Sequence, residues 1–376
     1  MLVLTFTSFV LLSGCGPSPE PLVLPDDPAE RGVPVGVRTV TIGGDLTVEI
    51  WYPASDEDAA AAAEAVDFNE YVPQVFYDAV GDFSFPAVNG LAARDLALRV
   101  PETPYPVVFF SHGLGGARVQ SINYTTHLAS RGYVVLSADH VGRRMTDLLP
   151  CLLSPPLEGC DLSGTIEDPG PEDVADALDW LTDQSTNEES WLYGAVDLSR
   201  VGLSGHSAGG GTTASLGDDD ARFTSLLTLA AGGAVERDVP TMVMGGECDS
   251  FAGEASVGGA YDANERGAWV SIAGAGHLAF SDLCDLKLDE LGDALLADRD
   301  DLNDTLYDLL VQLATDGCPT GAPPPTCSVS AYGDLPAAQE AVRRYSTEWF
   351  DLTLRGEARD LTAAPSDGVT VESKGL

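Results

Sequence analysis

The sequence predicts an α/β protein with a mostly parallel, doubly wound sheet and helices on both of its faces. Apolar, β-prone runs recur after residue 106, and they predict strands at 107–110, 133–138, 200–204, 226–232, 240–246 and 268–272, with a helix over 171–184 between the second and the third. Strands that alternate with helices in this way build βαβ units and therefore a parallel sheet. A tight Gly-x-Ser-x-Gly segment, Gly205–Gly209, directly follows one of these strands.

The two ends of the chain complete this fold. The runs Val37–Ile42 and Leu46–Tyr52 predict an antiparallel hairpin across Gly43–Asp45, followed by an Ala-rich helix near 57–66. A last helix over Ala337–Leu354 is expected to close the domain. The simplest count is one large domain over 36–376, because 376 residues with 44% hydrophobic content can bury a substantial core.

The Gly-x-Ser-x-Gly segment makes Ser207 a candidate nucleophile. A serine hydroxyl is weakly nucleophilic by itself, so it needs a sharp strand-to-helix turn, an adjacent base and facing backbone donors. Gly205 and Gly209 leave room for such a turn. The pattern alone is only moderately specific in a chain with 40 glycines, so the partner residues decide its meaning.

The histidine base is limited to few candidates, since the chain has only five histidines. His277 alone follows Ser207 at a distance, and it comes just after the strand predicted at 268–272. A nucleophile, acid, histidine order then requires a carboxylate after an intervening strand. Asp249 is the better choice for the acid and Glu247 is the second. The neighbouring acids Asp218–Asp220 are more typical of a solvated loop.

An oxyanion hole requires one backbone N–H after the nucleophile and a second from the turn after an earlier strand. The strand at 107–110 ends in the His-Gly-x-Gly-Gly turn His112–Gly116. We assign the two donors to the N–H groups of Leu114 and Ala208, with Gly113 as the alternative to Leu114. His112 itself is expected to form hydrogen bonds within the turn and to take no part in proton transfer.

The sequence contains four motifs in order: Ile50–Ala54, Phe110–Gly116, Gly205–Gly210, and Gly276-His277 with Phe280–Asp282. Together they resemble the bacterial relatives of platelet-activating-factor acetylhydrolase. The same arrangement is similar to the dienelactone-hydrolase and polyester-hydrolase branches of the α/β-hydrolase superfamily. The likeness extends from about residue 36 to about residue 356 and implies an α/β-hydrolase fold and a serine esterase activity.

Two departures from these families limit what the resemblance implies. In the acetylhydrolases the acid follows the strand after the nucleophile helix, but 226–232 contains no carboxylate here. The acid is therefore expected at Asp249, as in dienelactone and polyester hydrolases. The aromatic-polyester enzymes carry an aromatic residue and a tryptophan where this chain has Leu114 and Gly232-Gly233. An aromatic polyester substrate is thus not favoured.

The N-terminus predicts export. Residues Met1–Leu12 form an apolar run too short to span a bilayer, and Leu12–Cys15 resembles a bacterial lipobox. This implies a signal peptide over 1–14 and lipidation of Cys15, without the usual Lys or Arg before the apolar run. Residues 15–35 are rich in Pro, Asp and Glu and predict a flexible, lipid-anchored linker. The expected location is the bacterial cell envelope, with the outer membrane favoured, or the extracellular space.

Six cysteines remain after Cys15, an even number that fits an oxidising compartment. Proximity favours the pairs Cys151–Cys160 and Cys318–Cys327, which leaves Cys248–Cys284. The third pair would link the acid loop to the base loop, as a similarly placed disulfide does in some polyester hydrolases. Two buried thiols are the alternative. Metal binding is less favoured, because no Cys-x-x-Cys pair is present.

The charge of the chain indicates which partners it avoids. Its 59 acidic residues against 19 Lys and Arg give a net charge of -40, which opposes nucleic acids and anionic membranes. Membrane contact is therefore expected through the N-terminal lipid alone, and the partner is a small-molecule or lipid ester. The acidity fits an adaptation to salty or calcium-rich surroundings, and a calcium site at Asp218–Asp220 stays open.

Two insertions are expected near the site. The segment 143–171 contains the apolar loop 151–160, which either overhangs the site as a partial lid or is a surface loop. The segment 283–333 has leucines at helical spacing and predicts an amphipathic helix pair beside the active-site face.

The leading functional hypothesis is a cofactor-free serine hydrolase that cleaves short-chain acyl or phospholipid-type esters through an acyl-enzyme. The alternatives are a peptidase or amidase with the same triad and a catalytically silent surface binding protein.

Overall fold

The computed structural model describes residues 21–56, 63–72, 74, 77, 84–152, 167–286 and 335–376. A ten-stranded sheet forms the centre of this part of the chain, and a separate two-stranded sheet lies beside it. The strands are β1 (Val35–Ile42), β2 (Leu46–Pro53), β3 (Ala65–Val66), β4 (Val88–Asn89), β5 (Ala93–Arg94), β6 (Tyr105–Ser111), β7 (Val134–Ala138), β8 (Val196–His206), β9 (Phe223–Leu229), β10 (Thr241–Gly246), β11 (Gly267–Ile272) and β12 (Val369–Lys374).

The strand order of the large sheet is β12-β11-β10-β9-β8-β6-β7-β2-β1-β5. Six neighbouring strands, from β11 to β7 in this order, run parallel, whereas β2, β1 and β12 are joined antiparallel. The order reverses beside β6, so the loops after β6 and β8 meet at the carboxyl edge of the sheet. Ligand sites of doubly wound sheets lie at this kind of position.

Helices cover both faces of the sheet. They are α1 (Ile122–Ser130), α2 (Met145–Leu152), α3 (Gly170–Thr186), α4 (Ala208–Asp219), α5 (Glu254–Ala263) and α6 (Leu335–Leu354), and short 3-10 helices span Phe68–Tyr71, His277–Phe280 and Asp282–Leu286. Side chains alternate between the faces, as the period of a strand requires. Val108 and Phe110 of β6 belong to the core beneath α1 and α6, whereas Val107 and Phe109 belong to the core beneath α3.

The predicted α/β class with a mostly parallel sheet is confirmed, as are the N-terminal hairpin and the helix over Ala337–Leu354. This helix does not close the fold, because β12 follows it and pairs with β11. The predicted Ala-rich helix near 57–66 is wrong at its C-terminal end. Residues 57–62 lie outside the described residues, but Ala65 and Val66 form β3 and pair with β4. A β-branched residue that pairs with a neighbouring strand outweighs the helical preference of the preceding alanines.

The flexible linker predicted for 15–35 is wrong from Pro21 onward. The buried Arg131 donates from Nη1 to the backbone oxygens of Pro25, Asp27 and Glu30. The N–H of Val33 donates to the Ser130 oxygen at 2.9 Å before β1 begins. Composition indicated little to bury, but backbone carbonyls that accept from a buried guanidinium hold this segment against the domain.

Other predictions fall partly outside the described residues. Residues 153–166 and 287–334 lie outside the described part of the chain. The partial lid, the amphipathic helix pair and the pairs Cys151–Cys160 and Cys318–Cys327 therefore stay predictions. The acids Asp218 and Asp219 are exposed at the end of α4 instead of in a loop. In the described part of the chain, no cluster of His, Cys, Asp or Glu could hold a metal ion. Nor is any described helix long and apolar enough to cross a membrane.

Candidate active site

Ser207 occupies the turn between β8 and α4. Its backbone has a φ of 56° and a ψ of −118°, a left-handed conformation that costs free energy for a residue with a side chain. The turn is held because the Ser207 N–H donates to the Leu229 oxygen at 2.9 Å. The strained geometry leaves Ser207 partly exposed at the carboxyl edge of the sheet, as the sequence predicts.

The two glycines of the motif are required by close approach of the backbone. A Cβ atom on Gly205 would lie 2.0 Å from the Gly209 oxygen, and one on Gly209 would lie 1.9 Å from the Ser111 oxygen. Helix α4 therefore starts directly against β6 and β8. Any larger residue at either position would push Ser207 out of place.

His277 and Asp249 complete an unbroken hydrogen-bonded chain with Ser207. The Ser207 Oγ lies 2.9 Å from His277 Nε2, and His277 Nδ1 lies 2.9 Å from Asp249 Oδ2. Asp249 is fixed in turn, since its Oδ1 accepts from the N–H groups of Phe251 and Ala252 at 2.8 Å each. The structure thus brings together the three residues that the sequence selected, and Asp249 rather than Glu247 contacts the histidine.

The turn after β6 leaves one N–H group for a ligand. The N–H of Gly113 donates to Gln120 Oε1 at 2.9 Å, and the N–H of Gly115 donates to the Arg143 oxygen at 2.8 Å. Within the described part of the chain, the N–H groups of Leu114 and Ala208 have no hydrogen-bond partner. Leu114 and Ala208 therefore fit the predicted donor roles, whereas the alternative donor Gly113 is already engaged.

Arg143 supports this turn from inside the protein. Its Nη2 donates to Ser111 Oγ at 2.8 Å and to the His112 oxygen at 2.6 Å. Its Nη1 donates to Asp168 Oδ1 at 2.7 Å and to Thr212 Oγ1 at 3.0 Å. Since Thr212 belongs to α4, one buried guanidinium links the oxyanion turn to the helix that follows Ser207.

Two further histidines lie under the turn and are held neutral. Burial, reinforced by the nearby Arg143, keeps the pKa of both His112 and His140 well below the ordinary value. His112 Nδ1 donates to the Gly113 oxygen at 2.8 Å, and its Nε2 accepts from the His140 N–H at 3.1 Å. These contacts agree with the structural role predicted for His112.

A second Ser–His–Asp chain is present in this region. The buried Ser111 Oγ lies 2.9 Å from His140 Nε2, and His140 Nδ1 lies 2.9 Å from Asp173 Oδ2. Burial raises the pKa of Asp173 to about 7. Sequence reasoning missed this chain, because nothing in the local pattern around Ser111 or His140 indicates that the two side chains meet.

Apolar groups border the candidate nucleophile. Leu114 is 52% exposed beside the oxyanion turn, and Phe251 is 36% exposed. The Phe251 ring packs against the His277 ring with 4.8 Å between their centroids. An apolar part of a ligand bound at Ser207 would therefore contact Leu114 beside the oxyanion turn and Phe251 in the acid loop.

The loop after His277 is joined to α1 by a buried carboxylate. Asp282 accepts from the N–H and from Nδ2 of Asn123 at 2.8 and 2.7 Å. Burial raises the pKa of Asp282 to about 6. The sequence included Asp282 in a motif but gave it no partner, because Asn123 lies 159 positions away.

Comparisons with known proteins agree with this geometry. Residues 42–146 match the family model for platelet-activating factor acetylhydrolase, isoform II, and residues 161–295 match the model for PET hydrolase-like proteins. A platelet-activating factor acetylhydrolase from Cavia porcellus is 26% identical over 216 residues, which cover 48% of this chain and 49% of that protein. The match thus spans about half the length of this curated relative.

A solved structure supports the fold. The ferulic acid esterase from Streptomyces cinnamoneus superposes with a TM-score of 0.58 at 21% identity, covering 90% of this chain and 96% of that one. The chain therefore has an α/β-hydrolase fold, with similarity to platelet-activating factor acetylhydrolase in its first half and to PET hydrolase-like proteins in the second.

Proposed function

We propose that this protein is a serine hydrolase that cleaves carboxylic esters through an acyl-enzyme. The observation that carries the proposal is the continuous chain from Ser207 through His277 to Asp249, beside the N–H groups of Leu114 and Ala208, to which no described residue bonds. A nucleophile, a base, an orienting acid and oxyanion donors are the full set of parts that acyl transfer requires. The relatives named above are hydrolases or esterases, which favours the same class of reaction.

In the proposed mechanism, His277 Nε2 takes the proton of Ser207 as its Oγ attacks the ester carbonyl carbon. The N–H groups of Leu114 and Ala208 stabilise the negative oxygen of the tetrahedral intermediate. His277 then gives its proton to the alcohol that leaves, and Ser207 keeps the acyl group. Asp249 holds the imidazole in the tautomer with a proton on Nδ1 throughout.

Deacylation uses the same residues. A water molecule gives a proton to His277 and attacks the acyl carbon, and the second tetrahedral intermediate collapses when Ser207 recovers that proton. The carboxylic acid is released, and the enzyme returns to its starting state. No step needs a metal or an organic cofactor.

The proposed substrates are short-chain acyl esters or phospholipid-type esters. Exposed apolar groups at Leu114 and Phe251 favour an ester with hydrocarbon next to the carbonyl. Leu114 and Gly232-Gly233 stand where the aromatic-polyester enzymes carry an aromatic residue and a tryptophan. This composition disfavours an aromatic polyester even though the second half resembles PET hydrolase-like proteins.

The test compares matched esters and amides. We expect hydrolysis of p-nitrophenyl esters of graded acyl length, with Ser207→Ala as blank, and a rate at least roughly 1000-fold lower on the matched anilides. A short-chain phospholipid and an aliphatic polyester extend the panel to lipid and polymer. Equal rates on ester and amide would favour the peptidase or amidase alternative, and no turnover of any substrate would favour the silent binding protein.

We also propose that Cys248 and Cys284 pair with each other. Cys248 directly precedes Asp249, and Cys284 lies in the 3-10 helix soon after His277, so the bridge would join the acid loop to the base loop. Peptide mapping without reductant should recover the two as one linked peptide. Separate partners for the two cysteines would contradict the pairing.

Export as a lipoprotein anchored through Cys15 remains our proposal for localisation. Cells that express the full chain with an alkyne fatty acid should label the wild type and not Cys15→Ser. The label should be found in the cell envelope. Equal labelling of both proteins would contradict the lipid anchor.

A further inference from the structure

The side chain of Gln120 lies buried between two loops of the site. Its Oε1 accepts from the Gly113 N–H at 2.9 Å, and its Nε2 donates to His206 Nδ1 at 2.9 Å. Gly113 belongs to the oxyanion turn, whereas His206 directly precedes Ser207. One amide group therefore spans the distance between the oxyanion turn and the nucleophile.

His206 extends this connection to the base. Its Nε2 donates to the backbone oxygen of His277 at 2.9 Å, and the two imidazole rings pack with 4.9 Å between centroids. The backbone oxygen of Gln120 accepts from the N–H of Asp282 at 3.1 Å. The loops that carry the oxyanion donor, the nucleophile and the base are thus joined by one hydrogen-bonded chain, Gly113–Gln120–His206–His277.

Only one assignment of donors and acceptors fits this chain of hydrogen bonds. A backbone N–H can only donate, so Gln120 must present its oxygen to Gly113 and its amide protons to His206. His206 must then accept at Nδ1 and carry its proton on Nε2, where a carbonyl oxygen receives it. Burial, with a smaller contribution from His277, lowers the pKa of His206 to about 3, so the ring stays neutral near pH 7.

The oxyanion turn is shaped around this side chain. A Cβ atom on Gly116 would lie 2.1 Å from Gln120 Oε1, and one on Gly113 would lie 3.1 Å from His206 Nδ1. Because Gln120 takes up the N–H of Gly113, the N–H of Leu114 is the donor that remains on this side of Ser207. The glutamine therefore fixes both the position of the turn and the choice of donor.

We propose that Gln120 is a positioning residue that holds the Leu114 N–H, Ser207 and His277 in register for ester hydrolysis. The inference rests on the proposed function, since it assigns Gln120 to the same site. Gln120 touches no reacting atom. Its contribution is the alignment of groups on three loops, to which acyl transfer is sensitive on the scale of 1 Å.

Two variants test whether Gln120 aligns the catalytic groups through its hydrogen bonds or only fills space between the loops. Gln120→Met keeps the length of the side chain and removes both hydrogen bonds, and we expect kcat to fall about 30-fold with KM changed less than about threefold. Gln120→Glu can still accept from Gly113, but it needs one extra proton to donate to His206. Its kcat relative to wild type should therefore rise about tenfold as pH falls from 8 to 5.5, while the same ratio for Gln120→Met stays flat.

Dividing each rate by the wild-type rate at the same pH cancels the pH dependence that variant and wild type share. The ionisable groups beside this hydrogen-bonded chain are His277 and Asp249, which face His206, and Asp282, which contacts Gln120. A wild-type kcat in Gln120→Met, or a Gln120→Glu ratio that does not depend on pH, overturns the inference. If Gln120→Met does not fold, the pH dependence of the Gln120→Glu rate ratio tests the role of Gln120 by itself. Ser207→Ala is measured in parallel: its full activity would overturn the proposed function, whereas an inactive Ser207→Ala beside a fully active Gln120→Met overturns only the role of Gln120.

Discussion

The described part of the molecule contains two Ser–His–Asp chains with nearly the same distances, but one of the two lacks the surroundings of a nucleophile. Ser207–His277–Asp249 and Ser111–His140–Asp173 each have 2.9 Å contacts between hydroxyl and imidazole and between imidazole and carboxylate. Ser207 is partly exposed, whereas Ser111 has no exposed surface. No substrate can reach the second serine.

The electrostatic settings of the two hydroxyls also differ. Ser111 Oγ accepts a hydrogen bond from the Arg143 guanidinium, which withdraws electron density from the oxygen that would have to attack. Among the described residues, no guanidinium donates to the Ser207 oxygen, and no residue bonds to the N–H groups of Leu114 and Ala208 in the turns beside it. Hydrogen bonds between serine, histidine and aspartate therefore do not define a nucleophile by themselves. Access and oxyanion donors decide which chain can react.

The largest expected difference between the chains is in catalysis. His277→Gln should lower kcat roughly 10⁴-fold or more, because the base and the nucleophile act as a unit. His140→Gln should lower kcat by less than about tenfold, because His140 supports the turn without touching substrate. Steady-state ester hydrolysis of the two variants measures the contrast. Equal losses would mean that the second chain takes part in the reaction.

The next largest effect concerns protein stability, to which the residues around the buried Ser111–His140–Asp173 chain contribute. Arg143→Met removes the donors to Ser111, His112 and Asp168, and we expect the free energy of unfolding to fall by about 3 kcal/mol. Arg143→Lys, which keeps the charge with fewer donors, should lose less. Urea unfolding of both variants checks the order. A loss below about 0.5 kcal/mol for Arg143→Met would show that the guanidinium is dispensable for folding.

A smaller effect is expected in the pH dependence of stability. Burial raises the pKa of Asp173 to about 7 in the folded protein, above its ordinary value of 3.8. The folded state therefore holds this proton more tightly than the unfolded state, so the contribution of Asp173 to stability falls as pH rises from about 4 to 7.

Asp173→Asn should remove that dependence, and the Tm difference between variant and wild type should grow by about 2 °C between pH 5 and pH 8. Asp183→Asn, which changes an exposed acid of the same helix, serves as control and should follow the wild type. Parallel Tm curves for Asp173→Asn and wild type would contradict a raised pKa at this position.

The sequence predicted the parts of the fold that depend on local pattern. The strands that became β6, β8, β10 and β11 are short apolar runs that end in polar or glycine-rich turns, and that signal placed Ser207, Asp249 and His277 at one sheet edge. The same reasoning failed for residues 21–34. Their carboxylates and prolines indicated a solvated linker, while the contacts that hold them come from Arg131, about a hundred residues later.

The supporting groups of the site were not predictable for a related reason. Gln120 meets His206 across 86 positions, and Asn123 meets Asp282 across 159. Neither pair belongs to a motif with fixed spacing, and both depend on how the loops after β6, β8 and β11 converge. The second Ser–His–Asp chain has the same origin, since Asp173 sits on a helix that the sequence predicted without assigning any partner to its acids.

Covalent labelling tests the central claim most directly. We expect a fluorophosphonate probe at neutral pH to modify one residue, and mass spectrometry of the digested protein to find the adduct on Ser207. His277→Gln should slow labelling strongly, whereas His140→Gln should not. An adduct on Ser111, or undiminished labelling of Ser207→Ala at another serine, would contradict the assignment of Ser207 as the nucleophile.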